Sequence, residues 1–241
     1  MGVRTRRTRA IALGLALAFV GCATHERVAQ PPAPTPPPPP VLALWETQRE
    51  IADYIDSGRY DADVARVAGD ALAWLEMRAP QVAKSAIVLD VDETSLSNWP
   101  AYRLNQWARI VDGPCDLAHG PCGVRAWQAM ARDPAIAPTL QLAERARTLG
   151  VAVFFVTGRP PALRAATERN LRAQGYHWTG LILLPKGAHF ASAATFKSEA
   201  RRHIAEQGYT ILLTMGDQQS DLEGGFAERT FKLPNPVYFL P

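Results

Sequence analysis

Three largely apolar, β-branched runs stand out along this chain: Ala86–Leu89, Val151–Val156 and Thr210–Met215. Runs of four to eight such residues with little polar alternation read as strands buried on both faces. A fourth run, Leu181–Leu184, has the same character. The spacing changes between them. Leu142, Ala143, Ala146 and Leu149 share one face of a helix over Thr139–Leu149, which Gly150 ends. Leu163, Ala166 and Leu171 form the stripe of a helix after Arg159, closed by Gly175. Ala200 and Ile204 mark the buried side of a helix that Ser198 would cap, just after Lys197. Before the first strand, Val41–Ser57 and Asp61–Arg78 have helical composition, with Val64, Val67, Ala71 and Leu75 at helical spacing. Strands alternating with helices predict a Rossmann-like α/β domain, a mostly parallel sheet with helices on both faces.

Polar residues follow the strands where such a sheet keeps its ligands. Asp90-Val91-Asp92-Glu93-Thr94 follows the first run, and residues two apart in an extended strand face the same way. Asp90 and Asp92 therefore converge, and a bound divalent cation would let two such adjacent carboxylates ionise together. A solvated strand end would also explain a lone DxD. The second run stops at Thr157-Gly158-Arg159, where a hydroxyl and backbone N–H groups can meet a phosphate oxygen. The Thr210–Met215 run ends in Gly216-Asp217-Gln218-Gln219-Ser220-Asp221, and Asp217 can complete a Mg²⁺ site. Lys197 can neutralise a phosphate, with Lys186 after Leu181–Leu184 as its competitor. His25, His119, His177, His189 and His203 show no zinc spacing.

An aspartate pair, a threonine, a lysine and a GDxxxD loop, in that order, resemble the four motifs of the haloacid dehalogenase (HAD) superfamily. The strings Asp90–Asn98 (DVDETSLSN), Phe196–Arg202 (FKSEARR), Gly216–Leu222 (GDQQSDL) and Leu233–Tyr238 (LPNPVY) resemble more closely its subfamily IIIB acid phosphatases, which include bacterial lipoprotein phosphatases and plant vegetative storage proteins. The resemblance spans roughly Ser85 to Tyr238. It implies Asp90 as nucleophile and Asp92 as general acid and base. It implies Mg²⁺ held by Asp90, the Asp92 backbone carbonyl and Asp217, with Asp221 behind them. Thr157, Gly158 and Lys197 would hold the phosphate. Glu93 would only shape the loop. An acid at position 92 favours phosphate esters over carbon–halogen bonds. Lys197, unlike Lys186, sits in the KSxxR string.

The ends of the chain add an address. Arg4, Arg6, Arg7 and Arg9 precede the apolar run Ile11–Val20, as in a secretory signal, here residues 1–21. Phe19-Val20-Gly21-Cys22 resembles a bacterial lipoprotein cleavage site, with Phe19 in place of the usual Leu and Cys22 as the lipidated residue. Arg6-Arg7 alternatively opens a twin-arginine signal. The proline tract Pro31–Pro40 completes a tether over residues 22–40, roughly 30 Å if extended as polyproline II. Ala23 after the cysteine points, by analogy, to a Gram-negative outer membrane facing the periplasm. The leader holds four arginines and no acid, so the chain's net charge of +3 becomes −1 without it. No basic stripe interleaved with aromatics marks a nucleic-acid surface.

The 241 residues, 47% of them hydrophobic, suit one catalytic domain over residues 41–241. Its stretch from about 98 to 138 is too long for a simple crossover and predicts a small cap. Cys115 and Cys122 lie there, flanked by turn-forming Gly and Pro, as a disulfide pair in an exported protein or as two free thiols. In the family an aromatic from this region and the tyrosine of LPNxxY line the substrate pocket, matched here by Trp127 and Tyr238. Stacking there would suit a nucleoside monophosphate, although cap core explains Trp127 equally well. The expectation is a Mg²⁺-dependent phosphatase of small phosphate monoesters. A non-catalytic binding or storage lipoprotein and a phosphotransferase to alcohols are the alternatives.

Overall fold

A computed structural model describes Gly2 and residues 41–187 and 190–240. The chain divides into Met1–Val41 and Leu42–Pro241, and the architecture below belongs to the second unit. The leader, Cys22 and the proline tract lie outside the described residues.

Two helices open the domain, α1 (Leu44–Asp56) and α2 (Arg59–Arg78), followed by β1 (Ser85–Leu89). The insert after β1 carries α3 (Trp99–Leu104) and α4 (Val124–Met130). Then come α5 (Ala137–Thr148), β2 (Ala152–Thr157), α6 (Arg164–Ala173), β3 (Gly180–Leu183), α7 (Ala193–Glu206), β4 (Thr210–Gly216) and β5 (Ala227–Lys232). The sheet is parallel throughout, in the order β3-β2-β1-β4-β5.

Strand parity sorts the core. Ala86 and Val88 of β1 pack with Phe154 and Val156 of β2 and with Phe196, Ala200 and Ile204 of α7. Ile87 and Leu89 point the other way, joining Val153, Phe155, Leu75 of α2 and Leu142 of α5. The alternation needed for two covered faces is hidden inside uniformly apolar strands, because both faces are buried. The strand order places β1 centrally, so its end, Asp90, opens between the ends of β2 and β4.

Two differences from the sequence reading have physical causes. The helix bearing Lys197 begins at Ala193, not Ser198, because Ser192 is extended (φ −159°) and its Oγ accepts from the Thr195 N–H at 3.2 Å. Ser198 Oγ instead donates to the Gly224 carbonyl at 2.8 Å. The sequence does not predict strand β5. It is an edge strand in which only Phe231 is fully buried, so Ala-Glu-Arg-Thr-Phe-Lys carries almost no apolar signal.

The insert closes on itself. Leu96 bridges Ala135, and the Ser97 N–H donates to the Pro134 carbonyl at 2.9 Å, so its two ends leave the sheet side by side. Cys115 and Cys122 are joined by a disulfide. The Cys122 backbone is clamped by Asn105, whose Nδ2 donates to its carbonyl (2.8 Å) and whose Oδ1 accepts from its N–H (2.7 Å). Among the described residues, no helix is long and apolar enough to cross a membrane.

Candidate active site

The loop leaving β1 is bent hard over its own strand. The Ser95 and Leu96 N–H groups both donate to the Val91 carbonyl, and Ser95 Oγ donates to that of Asp90 at 2.6 Å. Glu93 sits at φ 50°, a left-handed conformation costly for a residue with a side chain. It is held there because its carboxylate accepts from the Asn98 N–H (2.5 Å) and from the Tyr238 hydroxyl (2.8 Å). Glu93 therefore does more than shape a turn. It fixes the tail of the chain against the loop that carries both aspartates.

Asp90, Asp217 and Asp221 are all buried, and each offers an oxygen within 4.8 Å of the others. Lys197 reaches them from the second turn of α7, donating to Asp90 Oδ1 at 2.9 Å and to Asp221. Burial first, then the neighbouring acids, push the Asp90 carboxyl well above the usual carboxylate range, against the pull of Lys197. Burial and Asp221 likewise push Asp217 to about 6, although Asn235 and Gln218 donate to it at 2.7 and 2.5 Å. Three acids facing one ammonium leave an excess of negative charge that a hard divalent cation neutralises, so this all-oxygen donor set fits such an ion. Gly216 makes the crowding possible. A Cβ there would lie 2.2 Å from the Asp221 carboxylate.

Asp92 lives in a different environment. Arg159 grips it with Nε (3.1 Å) and Nη2 (2.8 Å), Asn98 Nδ2 donates at 2.8 Å, and Gln128 Nε2 of α4 donates at 2.9 Å. Burial alone would raise this carboxyl, but Arg159, Asn98 and Gln128 together hold it below its ordinary value. Arg159 is itself buried, and its Nη2 also donates to Asp133 at 2.9 Å. Asp133 stays pushed up to about 6, because desolvation outweighs its share of a guanidinium it divides with Asp92.

Asp90, Asp92, Gly158, Lys197, Asp217 and Tyr238 line one cleft of about 350 Å³. Thr157 is fully buried beside it, and its Oγ1 accepts from the Arg159 N–H at 3.1 Å. Lys186 is exposed and lies outside the cleft's lining.

Residues 41–241 match the HAD superfamily, subfamily IIIB (acid phosphatase). The chain belongs to this family. Acid phosphatase 1 of Solanum lycopersicum is 33% identical over 207 residues, covering 83% of this chain and 78% of that protein. A stem 28 kDa glycoprotein of Glycine max is 34% identical over 193 residues, covering 78% and 72%. The solved structure of the class C acid phosphatase from Bacillus anthracis superposes with a TM-score of 0.64 at 21% identity, covering 81% of this chain and 87% of that one, a likeness of fold.

The phosphatase thus brings Asp90, Asp92, Lys197, Asp217 and Asp221 together, with two corrections. The Asp221 side chain stands in the carboxylate cluster itself rather than behind it. Trp127 does not line the catalytic cleft. It packs in the cap with Ala101, Cys122, Leu104 and Cys115, because α4 spends its cleft-facing side on Gln128. Its place as an aromatic wall is taken by Tyr102, whose ring lies 5.7 Å from that of Tyr238. Arg159 and Asn98 lie within the Thr157-Gly158-Arg159 and Asp90–Asn98 strings, and the arginine directly after Thr157-Gly158 is the one sequence signal of the Asp92 clamp. Asp133 carried none, since only the closing of the insert brings it to Arg159.

Proposed function

We propose that this phosphatase hydrolyses small phosphate monoesters through a covalent phosphoaspartate on Asp90. The observation that carries the reading is the division between the two aspartates of the β1 loop. Asp90 faces the acidic cluster and Lys197, while Asp92, two residues on, lines the same cleft and is held separately by Arg159, Asn98 and Gln128. Two carboxyls with opposed surroundings suit two roles. Asp90 attacks phosphorus as the bond from phosphorus to the ester oxygen breaks, and the leaving alcohol takes the proton that Asp92 must carry when the ester is bound. Asp92 then takes a proton from the water that hydrolyses the acyl phosphate, freeing Asp90. Thr157 and the Gly158 backbone would hold phosphoryl oxygens, and Lys197 would supply positive charge as they gain negative charge.

Mg²⁺ is the proposed ion, held by Asp90 and Asp217 with the Asp92 carbonyl, and Asp221 adjacent. When bound, it neutralises the carboxylates and polarises the phosphoryl group. Nucleoside monophosphates belong to the proposed substrates only as far as Tyr102 and Tyr238 provide stacking faces, since Trp127 provides none here.

The deciding experiment is phosphate release from an aryl phosphate by the wild type and by Asp90→Asn, each with Mg²⁺ or with EDTA. Loss of activity in both EDTA and the variant supports the mechanism. Turnover by Asp90→Asn at the wild-type rate ends it.

The leader pattern supports a further reading, a lipid on Cys22 that tethers the domain to the outer membrane on its periplasmic side. Incorporation of labelled palmitate, abolished in Cys22→Ser, is the expected outcome. A soluble, unlabelled wild type would refute it.

A further inference from the structure

The lining of the catalytic cleft includes four cations, and three are committed to carboxylates. Lys197 bridges Asp90 and Asp221, Arg159 bridges Asp92 and Asp133, and Arg125 donates to Asp112 at 2.7 Å. The fourth, Arg109, pairs with no carboxylate among the described residues.

Arg109 is nevertheless located by its surroundings. Its guanidinium carbon lies 5.1 Å from the centroid of the Tyr238 ring. Tyr238 is pinned in turn, by its hydroxyl on Glu93 at 2.8 Å and by its N–H on Asn235 Oδ1 at 3.2 Å. The backbone next to Arg109 is tied to α4, since the Val124 N–H donates to the Ile110 carbonyl at 2.8 Å and the Arg125 N–H to that of Val111 at 3.1 Å. A guanidinium carries its N–H fork in its own plane, where it matches two oxygens of a planar anion. Arg109 thus offers such a fork in the same small cleft as the nucleophile.

We propose that Arg109 is a specificity-determining residue that receives a carboxylate on the leaving-group side of the substrate. Phosphate esters of small hydroxy acids are then preferred over phosphate esters of neutral alcohols of equal size. The inference rests on the phosphomonoesterase reading above and narrows its substrate class. Lys197 and Arg159, each shared between two protein carboxylates, leave the second anion to Arg109.

The test compares phosphoglycerate with glycerol phosphate, which differ in a carboxylate against a hydroxymethyl group. The wild type should favour phosphoglycerate by about tenfold in kcat/KM, the worth of one charge-assisted contact, and chiefly through KM because the group does not react. In Arg109→Gln the ratio should fall to about one. In Arg109→Lys, which keeps the charge and loses the fork, it should fall part-way. Turnover of glycerol phosphate by each variant shows that it is folded. Equal use of the two esters by the wild type, or a preference that survives in Arg109→Gln, overturns the proposal. An aryl phosphate run alongside keeps the two readings apart: its Asp90-dependent hydrolysis with an unchanged ester ratio removes the role of Arg109 alone.

Discussion

Lys197 Nζ donates to Asp90 Oδ1 at 2.9 Å across 107 residues of chain, and both side chains are buried. The ammonium also meets Asp221, so one lysine joins the loop after β1 to the turn after β4. Removing it leaves buried carboxylates without a counter-ion. Lys197→Ala should lower kcat about 100-fold or more and destabilise the fold by about 3 kcal/mol. Steady-state kinetics and urea unfolding measure the two effects, and near-wild-type values in both would contradict the assignment.

The acidic cluster should bind metal in a way that stability reports without any substrate. Mg²⁺ at about 100 times its Kd should add roughly 2.7 kcal/mol to unfolding. Gly216→Ala, whose new methyl group would collide with the Asp221 carboxylate, should lose most of that increment. A thermal shift with Mg²⁺ that is equal in both proteins would separate the cluster from the ion.

For Asp92→Asn, loss of acid–base assistance should slow turnover by about 10² to 10⁴. The damage should be greatest for esters of poor leaving groups, which need the proton most. With an activated aryl ester the first displacement survives better than the second, so phosphoenzyme should accumulate as a burst. Equal losses for good and poor leaving groups would tell against the role.

Asp133 ties stability to pH. Its carboxyl is pushed from 3.8 to about 6 in the folded protein, mainly by burial, so the folded state binds the proton more tightly than the unfolded chain. The corresponding stability is present below the unfolded value and is lost as pH rises from 3.8 through about 6. The stability of the wild type relative to Asp133→Asn should therefore fall by up to about 3 kcal/mol between roughly pH 4 and pH 7. Parallel stability curves for the two proteins would refute this.

The Cys115–Cys122 disulfide closes a short loop, at a sequence separation of 7, within the insert that carries Gln128 to Asp92. Chain entropy assigns such a loop about 2 kcal/mol. The double variant Cys115→Ala and Cys122→Ala should lose about that much stability, read by denaturant unfolding under oxidising conditions. No change in midpoint would mean that Asn105 and the cap core hold the hairpin unaided.

Much of this protein is written locally. Apolar runs with polar ends marked β1 to β4, because a strand buried on both faces admits almost nothing else, and the aspartates, Thr157 and Lys197 were legible because their order along the chain is itself a pattern. What the sequence could not decide depends on distant segments meeting. Edge strand β5 owes its place to pairing with β4, not to apolar content. The Asp221 side chain joins the cluster only because Gly216 has no Cβ to exclude it. Trp127 lies in the cap while its neighbour Gln128 reaches the cleft, because a helix turns successive side chains by about 100° and only packing says which faces inward. Arg159 becomes a bridge, and Arg109 remains without a carboxylate among the described residues, only when the insert folds back over the sheet, since the count of charges along a chain does not say which pairs will share a guanidinium.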